Sequence, residues 1–178
     1  MLKILVSLMI ASGVTIPAAD TRPAPPISSR AQERLGREVR SRLLRLPYYG
    51  VFDYIAFQVH GYEVTLEGSV TKPVVRHDAE AAVRPVEGIE RLTNRIEVLP
   101  LSPNDNRLRM SLYRAIYGHT VLNRYALNPN PPIRIVVKNG NVTLEGVVLN
   151  ASDRNIAFLQ ANGVPGVFSV RNHLRTEK

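Results

Sequence analysis

The stretch Val64-Thr65-Leu66-Glu67-Gly68 recurs unchanged at Val142–Gly146, an offset of 78 residues. The same offset, with no gap, pairs further residues on both sides of the pentapeptide. These pairs include Leu44 with Leu122, Ile55 with Ile133, Gly88 with Gly166, and Asn94 with Asn172. An offset held through strand-like and helix-like stretches alike indicates one folding unit used twice. Because the matched positions are apolar residues, glycines and one asparagine, the repeat encodes a framework rather than a reaction centre.

The first unit is predicted to run helix–strand–strand–helix–strand. Apolar residues recur at helical spacing from Ser29 to Leu46, and alternating apolar residues then flank a turn at His60-Gly61. A second helix is predicted from Pro73 to about Val83. The closing strand is predicted to contain Leu92, Ile96 and Val98.

The second unit repeats this order with clearer start and stop signals. Ser102, with Pro103 after it, is a typical helix N-cap, and the helix is predicted to reach about Arg124. Asn139-Gly140 is the strongest short hairpin signal, since both residues tolerate positive φ. Asn150 is predicted to cap the next helix. Asn94 and Asn172 share strand parity with apolar neighbours, and we interpret both as structural amides that bond to backbone.

The helix after Pro103 presents two apolar arcs, and the sequence does not decide between them. One arc contains Met110, Tyr113, Tyr117 and Val121, and the offset of 78 residues predicts that the last three are buried, since they correspond to Leu35, Val39 and Leu43. A slip of one residue would instead bury the arc of Leu108, Leu112, Ala115, Ile116, His119 and Leu122. Either choice leaves an apolar arc beside arginines, which marks an interaction surface for the other unit, for lipid head groups or for a partner protein.

The N-terminal residues have the layout of a secretory signal peptide. Lys3 precedes a short apolar run from Ile4 to Ile10, and Pro17-Ala18-Ala19 supplies the small-residue end. We therefore expect a signal peptide at 1–19, a Pro-rich tether at 20–29 and a periplasmic or secreted protein with no membrane span after signal removal. Because the chain contains no cysteine, disulfides, thiolate metal sites and a lipid-modified N-terminus are excluded.

The formal charge is +8, and it is distributed unevenly. Residues 28–45 contain six arginines against two glutamates, and residues 101–178 contain ten basic residues against four acidic ones. In the first helix, four of the arginines lie opposite the apolar face, within about 80° of arc at 100° per residue. Positive faces indicate anionic partners, and export argues for phospholipid rather than nucleic acid.

The repeated pattern resembles the BON domain (bacterial OsmY and nodulation). The resemblance rests on an amphipathic helix, Asn-Gly-x-Val-Thr-Leu-Glu-Gly-x-Val, an Ala-bearing helix and a strand that contains Asn94 or Asn172. It covers residues 30–100 and 103–176. The first copy departs from it at His60-Gly61-Tyr62, where a differently shaped turn is expected. The resemblance implies an α/β (α+β) fold, with two helices on a three-stranded mixed sheet in each domain, export, no enzymatic activity, and binding of anionic phospholipid.

The residues themselves offer no reaction centre. The four histidines are too dispersed for a metal site, and the serines lie in no nucleophile-elbow context. Glu67 and Glu145 recur with the repeat and are interpreted as solvent-facing acids. We expect no cofactor, no metal and no catalysis.

The predicted contact residues lie on the first helix of each unit. A peripheral contact with an anionic membrane surface is the favoured hypothesis, and an adaptor for envelope proteins is the alternative. The candidate lipid-binding residues are Arg30, Arg34, Arg37, Arg45, Arg107, Arg109, Met110, Tyr113, Arg114 and Tyr117.

Overall fold

The computed structural model describes residues 28–128 and 130–177, so the predicted signal peptide and most of the tether lie outside the described residues. Two successive sets of helices and strands are present. The first is α1 (Ser29–Leu44), β1 (Tyr54–His60), β2 (Glu63–Val70), α2 (Pro73–Val83), β3 (Arg91–Asn94) and β4 (Glu97–Val98). The second is α3 (Pro103–Tyr117), a 3-10 helix (Asn123–Leu127), β5 (Ile133–Lys138), β6 (Asn141–Val148), α4 (Ala151–Asn162) and β7 (Ser169–Thr176).

Each set forms a mixed sheet, which confirms the predicted fold class. In the first, β1 pairs antiparallel with β2, and β2 pairs parallel with β3 and β4. These two short strands stand where the sequence predicts one closing strand. In the second, β5 pairs antiparallel with β6, and β6 pairs parallel with the unbroken β7. The central strand of each sheet is the one that contains Val-Thr-Leu-Glu-Gly.

The repeated pentapeptide supplies both the core and a backbone contact. Leu66 and Leu144 are fully buried at equivalent places under the helices. Gly68 and Gly146 have φ values of +126° and +122°. A Cβ on Gly68 would lie against the carbonyl oxygen of Tyr54, and one on Gly146 against that of Pro132. Only glycine fits there, because the neighbouring strand's backbone occupies the space that a side chain needs.

The two asparagines of the closing strands have the structural role that the sequence predicts. Asn94 donates from Nδ2 to the carbonyl of Arg76 (3.1 Å) and accepts at Oδ1 from the N–H of Ile96 (3.1 Å). Asn172 makes the same two bonds with Arg154 (3.0 Å) and Leu174 (3.2 Å). Each amide therefore ties the second helix of its domain to the closing strand.

The hairpin turns differ as expected. The loop between β5 and β6 has positive φ at both Asn139 and Gly140, whereas the loop between β1 and β2 has it at Gly61 but not at Tyr62. The carboxylate of Asp105, on α3, accepts from the N–H of Asn139 and of Gly140, both at 2.9 Å. The pattern Ser102-Pro103-Asn104-Asp105 predicts that this acid bonds back to its own helix cap. The carboxylate bonds to the distant hairpin instead, so that prediction is wrong.

The helix α3 ends at Tyr117 rather than near Arg124. Gly118 occupies the C-cap, and its N–H reaches the carbonyl of Arg114. The structure also decides which arc is buried. Leu112 and Ile116 are fully buried, so the register that slips by one residue is the correct one. The strands keep the offset of 78 residues, so the second domain has one more residue than the first between this buried face and its first strand.

A segment of the first domain lies across the second. The N–H of Ile135 on β5 donates to the carbonyl of Val51 (2.9 Å), and Arg134 donates to the carbonyl of Gly50 (2.8 Å). The side chains of Val51 and Phe52 pack against the second domain's core. The segment before β1 therefore forms part of the contact between the two domains.

Candidate membrane-contact surfaces

The helix α1 presents its arginines to solvent and its apolar residues to the first core. Leu35, Val39 and Leu43 are buried, as the helical spacing predicts. The four candidate arginines of this helix and its C-cap are all exposed. They are Arg30, Arg34, Arg37 and Arg45. We call these four residues the α1 arginine face.

The ion pairs on the α1 arginine face are loose. Arg34 lies 3.9 Å from Glu87 and Arg37 lies 3.8 Å from Glu33, and all four side chains are largely exposed. Exposed pairs of this kind contribute at most about 1 kcal/mol. Arg30 and Arg45 have no ion pair with any residue in 28–128 or 130–177. The guanidinium groups are therefore free to exchange these partners for an external anion.

The helix α3 offers a smaller exposed patch. Arg107, Met110 and Arg114 are exposed and recur at helical spacing. Met110 keeps 45% of its surface in contact with solvent. We call these three residues the α3 patch. It combines one apolar side chain with two guanidinium groups.

Two of the candidate residues on α3 are buried, and the prediction that they contact lipid is corrected. Arg109 is 4% exposed and donates from Nη2 to the carbonyl of Val137 at 2.7 Å. Tyr117 is 4% exposed and donates to the carbonyl of Ile133 at 2.5 Å. Burial lowers the pKa of Arg109 and raises that of Tyr117. Both side chains donate hydrogen bonds to the outer edge of β5 and are not available at the protein surface.

Tyr113 is half-buried and contacts the other domain. Its ring lies 5.0 Å from the ring of Tyr117 and 6.4 Å, edge to face, from that of Phe52. The apolar arc that does not face the core was expected to contact the other domain, lipid head groups or a partner protein. Tyr113, which belongs to this arc, contacts the other domain. The slip of one residue in α3 accounts for the change, because it turns Tyr113 toward Phe52 and Tyr117 toward the edge of β5.

A cleft of about 550 Å³ lies between the domains, and sequence patterning contains no direct signal for it. The guanidinium group of Arg134 stacks over the ring of Tyr49, with its carbon 4.5 Å from the ring centroid. The basic residues that line the cleft are Arg40, Arg134 and Arg175. In the sequence, Arg134 and Arg175 are marked only by their alternation with core residues along their strands.

Neither a spanning helix nor a cluster of metal ligands is present in the part of the chain that the structure describes. None of the helices in residues 28–128 and 130–177 has the length and apolar character needed to cross a membrane. Within the same ranges, no group of three or more metal-ligating side chains comes together.

The repeat, the two mixed sheets and the paired asparagines agree with one family. The model of the BON domain matches residues 32–100 and 119–178. The chain belongs to the BON domain family. The second match begins after α3, the helix whose register departs from that of α1. BON membership indicates an envelope-associated module that binds phospholipid or interacts with proteins, in a family that is generally non-enzymatic.

Two solved structures are similar to this BON protein in part. One is CdsD, a structural protein of the type III secretion system of Chlamydia trachomatis, with 12% identity, a TM-score of 0.29, and coverage of 81% of this chain and 92% of that one. The other is the C-terminal domain of CdsD, with 12% identity, a TM-score of 0.30, and coverage of 80% and 96%. Likeness at this level carries no argument about function. No curated protein was found to match the chain.

Proposed function

We propose that this BON protein is exported, is not an enzyme, and attaches weakly and reversibly to anionic phospholipid surfaces of the cell envelope. The observation that carries the proposal is the α1 arginine face. Its four guanidinium groups are exposed, lie on one side of one helix, and have at most weak partners among the described residues. The proposal includes a signal peptide at 1–19, a tether at 20–29, and domains at 30–100 and 103–176.

The strength of such a contact follows from its chemistry. A basic residue near an anionic membrane contributes about 1 kcal/mol, so four give attachment that is measurable but not permanent. Salt screens exposed charges over about 8 Å at physiological ionic strength. Binding should therefore weaken as salt rises.

The α3 patch supplies a second contact of a different kind. Met110 can enter the head-group region while Arg107 and Arg114 meet phosphate groups. Arg109 and Tyr117 are left out of this proposal because they are buried. A variant that removed Arg109 would disturb the fold and could not test lipid binding.

Flotation with vesicles tests the proposed function. The purified mature protein is mixed with vesicles of neutral phosphatidylcholine, or with vesicles in which part of it is replaced by anionic phosphatidylglycerol. We expect the protein to float with the anionic vesicles at low salt and to stay behind as sodium chloride is added. Equal flotation with both kinds of vesicle, or none at low salt, would favour the adaptor for envelope proteins.

A further inference from the structure

The first strand of each sheet is an edge strand, and in the second domain that edge is covered. Along β5, the carbonyl of Ile133 accepts from Tyr117 (2.5 Å), the N–H of Ile135 donates to Val51 (2.9 Å), and the carbonyl of Val137 accepts from Arg109 (2.7 Å). A turn of the first domain, closed by the bond from the N–H of Asp53 to the carbonyl of Gly50 (3.1 Å), thus occupies the middle of the edge through Val51. Side chains of α3 occupy the two flanking positions.

The matching edge of β1 is covered only at its ends. The N–H of Ile55 donates to the Tyr49 hydroxyl (3.2 Å), and the carbonyl of Val59 accepts from Nε2 of Gln32 (2.9 Å). Phe57 corresponds to Ile135. Because outward-facing residues alternate along an antiparallel edge strand, its N–H and C=O also point away from β2. Neither group has a hydrogen-bond partner among residues 28–128 and 130–177.

The uncovered part of this edge faces the cleft between the domains. Four consecutive residues of β1, from Tyr54 to Phe57, line the cleft. Leu43, Leu44, Pro132 and Val147 add apolar surface. Arg40, Arg134 and Arg175 supply the charge, and no carboxylate is among the lining residues. A volume of about 550 Å³ is in the range of sites that hold a compact ligand.

We propose that the edge of β1 at Phe57 binds an extended, acidic segment of a partner protein. Main-chain bonds to Phe57 would add a strand to the first sheet, and aspartate or glutamate side chains of the segment would meet Arg40 and Arg175. The second domain shows that the corresponding place on β5 accepts a backbone partner from outside its sheet, since the carbonyl of Val51 bonds to the N–H of Ile135 there. The proposal is independent of lipid binding, because it uses the cleft and not the α1 arginine face.

Nuclear magnetic resonance on the ¹⁵N-labelled mature protein tests it directly. The probe is a blocked octapeptide in which aspartate and valine alternate, and the matched control peptide has lysine in place of aspartate. We expect the acidic peptide to shift the amide resonance of Phe57 and to slow its hydrogen exchange at least about tenfold, as one added hydrogen bond would. The lysine peptide should do neither.

Charge-reversal variants complete the test. Arg40→Glu with Arg175→Glu should weaken binding of the acidic peptide at least about tenfold, since both guanidinium groups line the cleft. Arg154→Glu with Arg171→Glu makes the same change in charge on exposed residues outside the cleft lining and should leave binding within about twofold. Both variants should melt at the temperature of the wild type.

Several results would overturn the proposal. They are a failure of the acidic peptide to bind, binding without protection of Phe57, and equal effects of the two pairs of substitutions. Two further results would assign the edge to another occupant. Protection of Phe57 in a self-associated protein without peptide would show a second copy of this chain. Protection by anionic vesicles instead of the peptide would show lipid.

Discussion

Gly146 shows how one residue of the repeated pentapeptide is fixed by its neighbours. Its φ of +122° is unfavourable for any side chain, and a Cβ would meet the carbonyl oxygen of Pro132. The sequence marked this position through the repeat alone, because Gly68 meets the same demand in the first domain. Asn94 and Asn172 were predicted in the same way, from parity and recurrence. The role of Asp105 was missed, because its contacts lie 34 and 35 residues away along the chain.

Replacing Gly146 by alanine should lower the free energy of unfolding by about 1–3 kcal/mol from backbone strain alone, with more from the displaced strand. Gly88→Ala is the matched control. Gly88 also has positive φ, +94°, but nothing lies within 4 Å of the position that a Cβ would take there. Urea denaturation should therefore show a clearly larger loss for Gly146→Ala. Equal losses would mean that the close approach of Pro132 is unimportant.

Four of the seven tyrosines should ionise late. Burial raises the pKa values of Tyr49, Tyr54, Tyr117 and Tyr125 above the ordinary value of about 10. Their neutral forms therefore contribute stability that is complete below about pH 10 and is lost as the pH rises through the folded pKa values. As the pH is raised, the absorbance of ionised tyrosine should increase with a late phase, and the amplitude of that phase should be smaller in Tyr117→Phe. Titration of all tyrosines in one step near pH 10 would contradict the burial.

At the scale of elements, α3 is where the sequence was ambiguous. Both arcs of this helix are apolar, so the hydrophobic pattern alone could not select the buried one. The choice depends on contacts that the repeat does not predict. Tyr113 turns toward Phe52, and Tyr117 toward the edge of β5, which places Leu112 and Ile116 in the core. The sequence prediction also carried this helix too far, to about Arg124, whereas it ends at Tyr117 with Gly118 as its C-cap.

Arg109 and Gln32 donate to equivalent carbonyls on the edge strands β5 and β1. This equivalence suggests a test of the role of Arg109 on α3. Gln32 reaches the carbonyl of Val59 in the first domain, as Arg109 reaches that of Val137 in the second. Arg109→Gln should keep this bond and remove a buried charge whose Nε has no partner among the described residues. Arg109→Ala should cost about 1–3 kcal/mol more, because the carbonyl loses its donor. Chemical denaturation measures both, and equal stability of the two variants would refute this role.

At the scale of the whole molecule, the repeat predicted two domains but not how they meet. Val51 and Phe52 pack against the core of the second domain, and the N–H of Ile135 bonds to Val51. These residues follow Pro47 and Gly50, in a stretch that the sequence marks simply as a loop. Contacts between distant loops and strands leave no periodic pattern, so neither this contact nor the cleft beside it could be predicted.

The contact between domains should couple their unfolding. Leu66 and Leu144 are fully buried in different cores, and replacing either by alanine should cost about 2–5 kcal/mol. We expect calorimetry of the wild type to show one transition, which each variant moves as a whole. Two separate transitions, each sensitive to only one of the substitutions, would show that the domains unfold independently.

We propose that the α1 arginine face attaches the protein to anionic phospholipid, and one comparison of variants tests this most directly. The test compares two variants by flotation with phosphatidylglycerol-containing vesicles at low salt. In one, Arg30, Arg34, Arg37 and Arg45 become glutamine. In the other, the same number of charges is removed from exposed arginines elsewhere, by changing Arg76, Arg84, Arg91 and Arg154 to glutamine. Glutamine keeps helix propensity close to that of arginine, so the helices that carry these positions, α1, α2 and α4, are not expected to unfold.

We expect the first variant to lose vesicle binding at least about tenfold, because about 1 kcal/mol is removed with each guanidinium group near the membrane. The second variant should bind within about twofold of the wild type, since its arginines are not on the α1 arginine face. An equal loss in both variants would show that net charge, not this face, governs attachment. Undiminished binding of the first variant would contradict the claim outright.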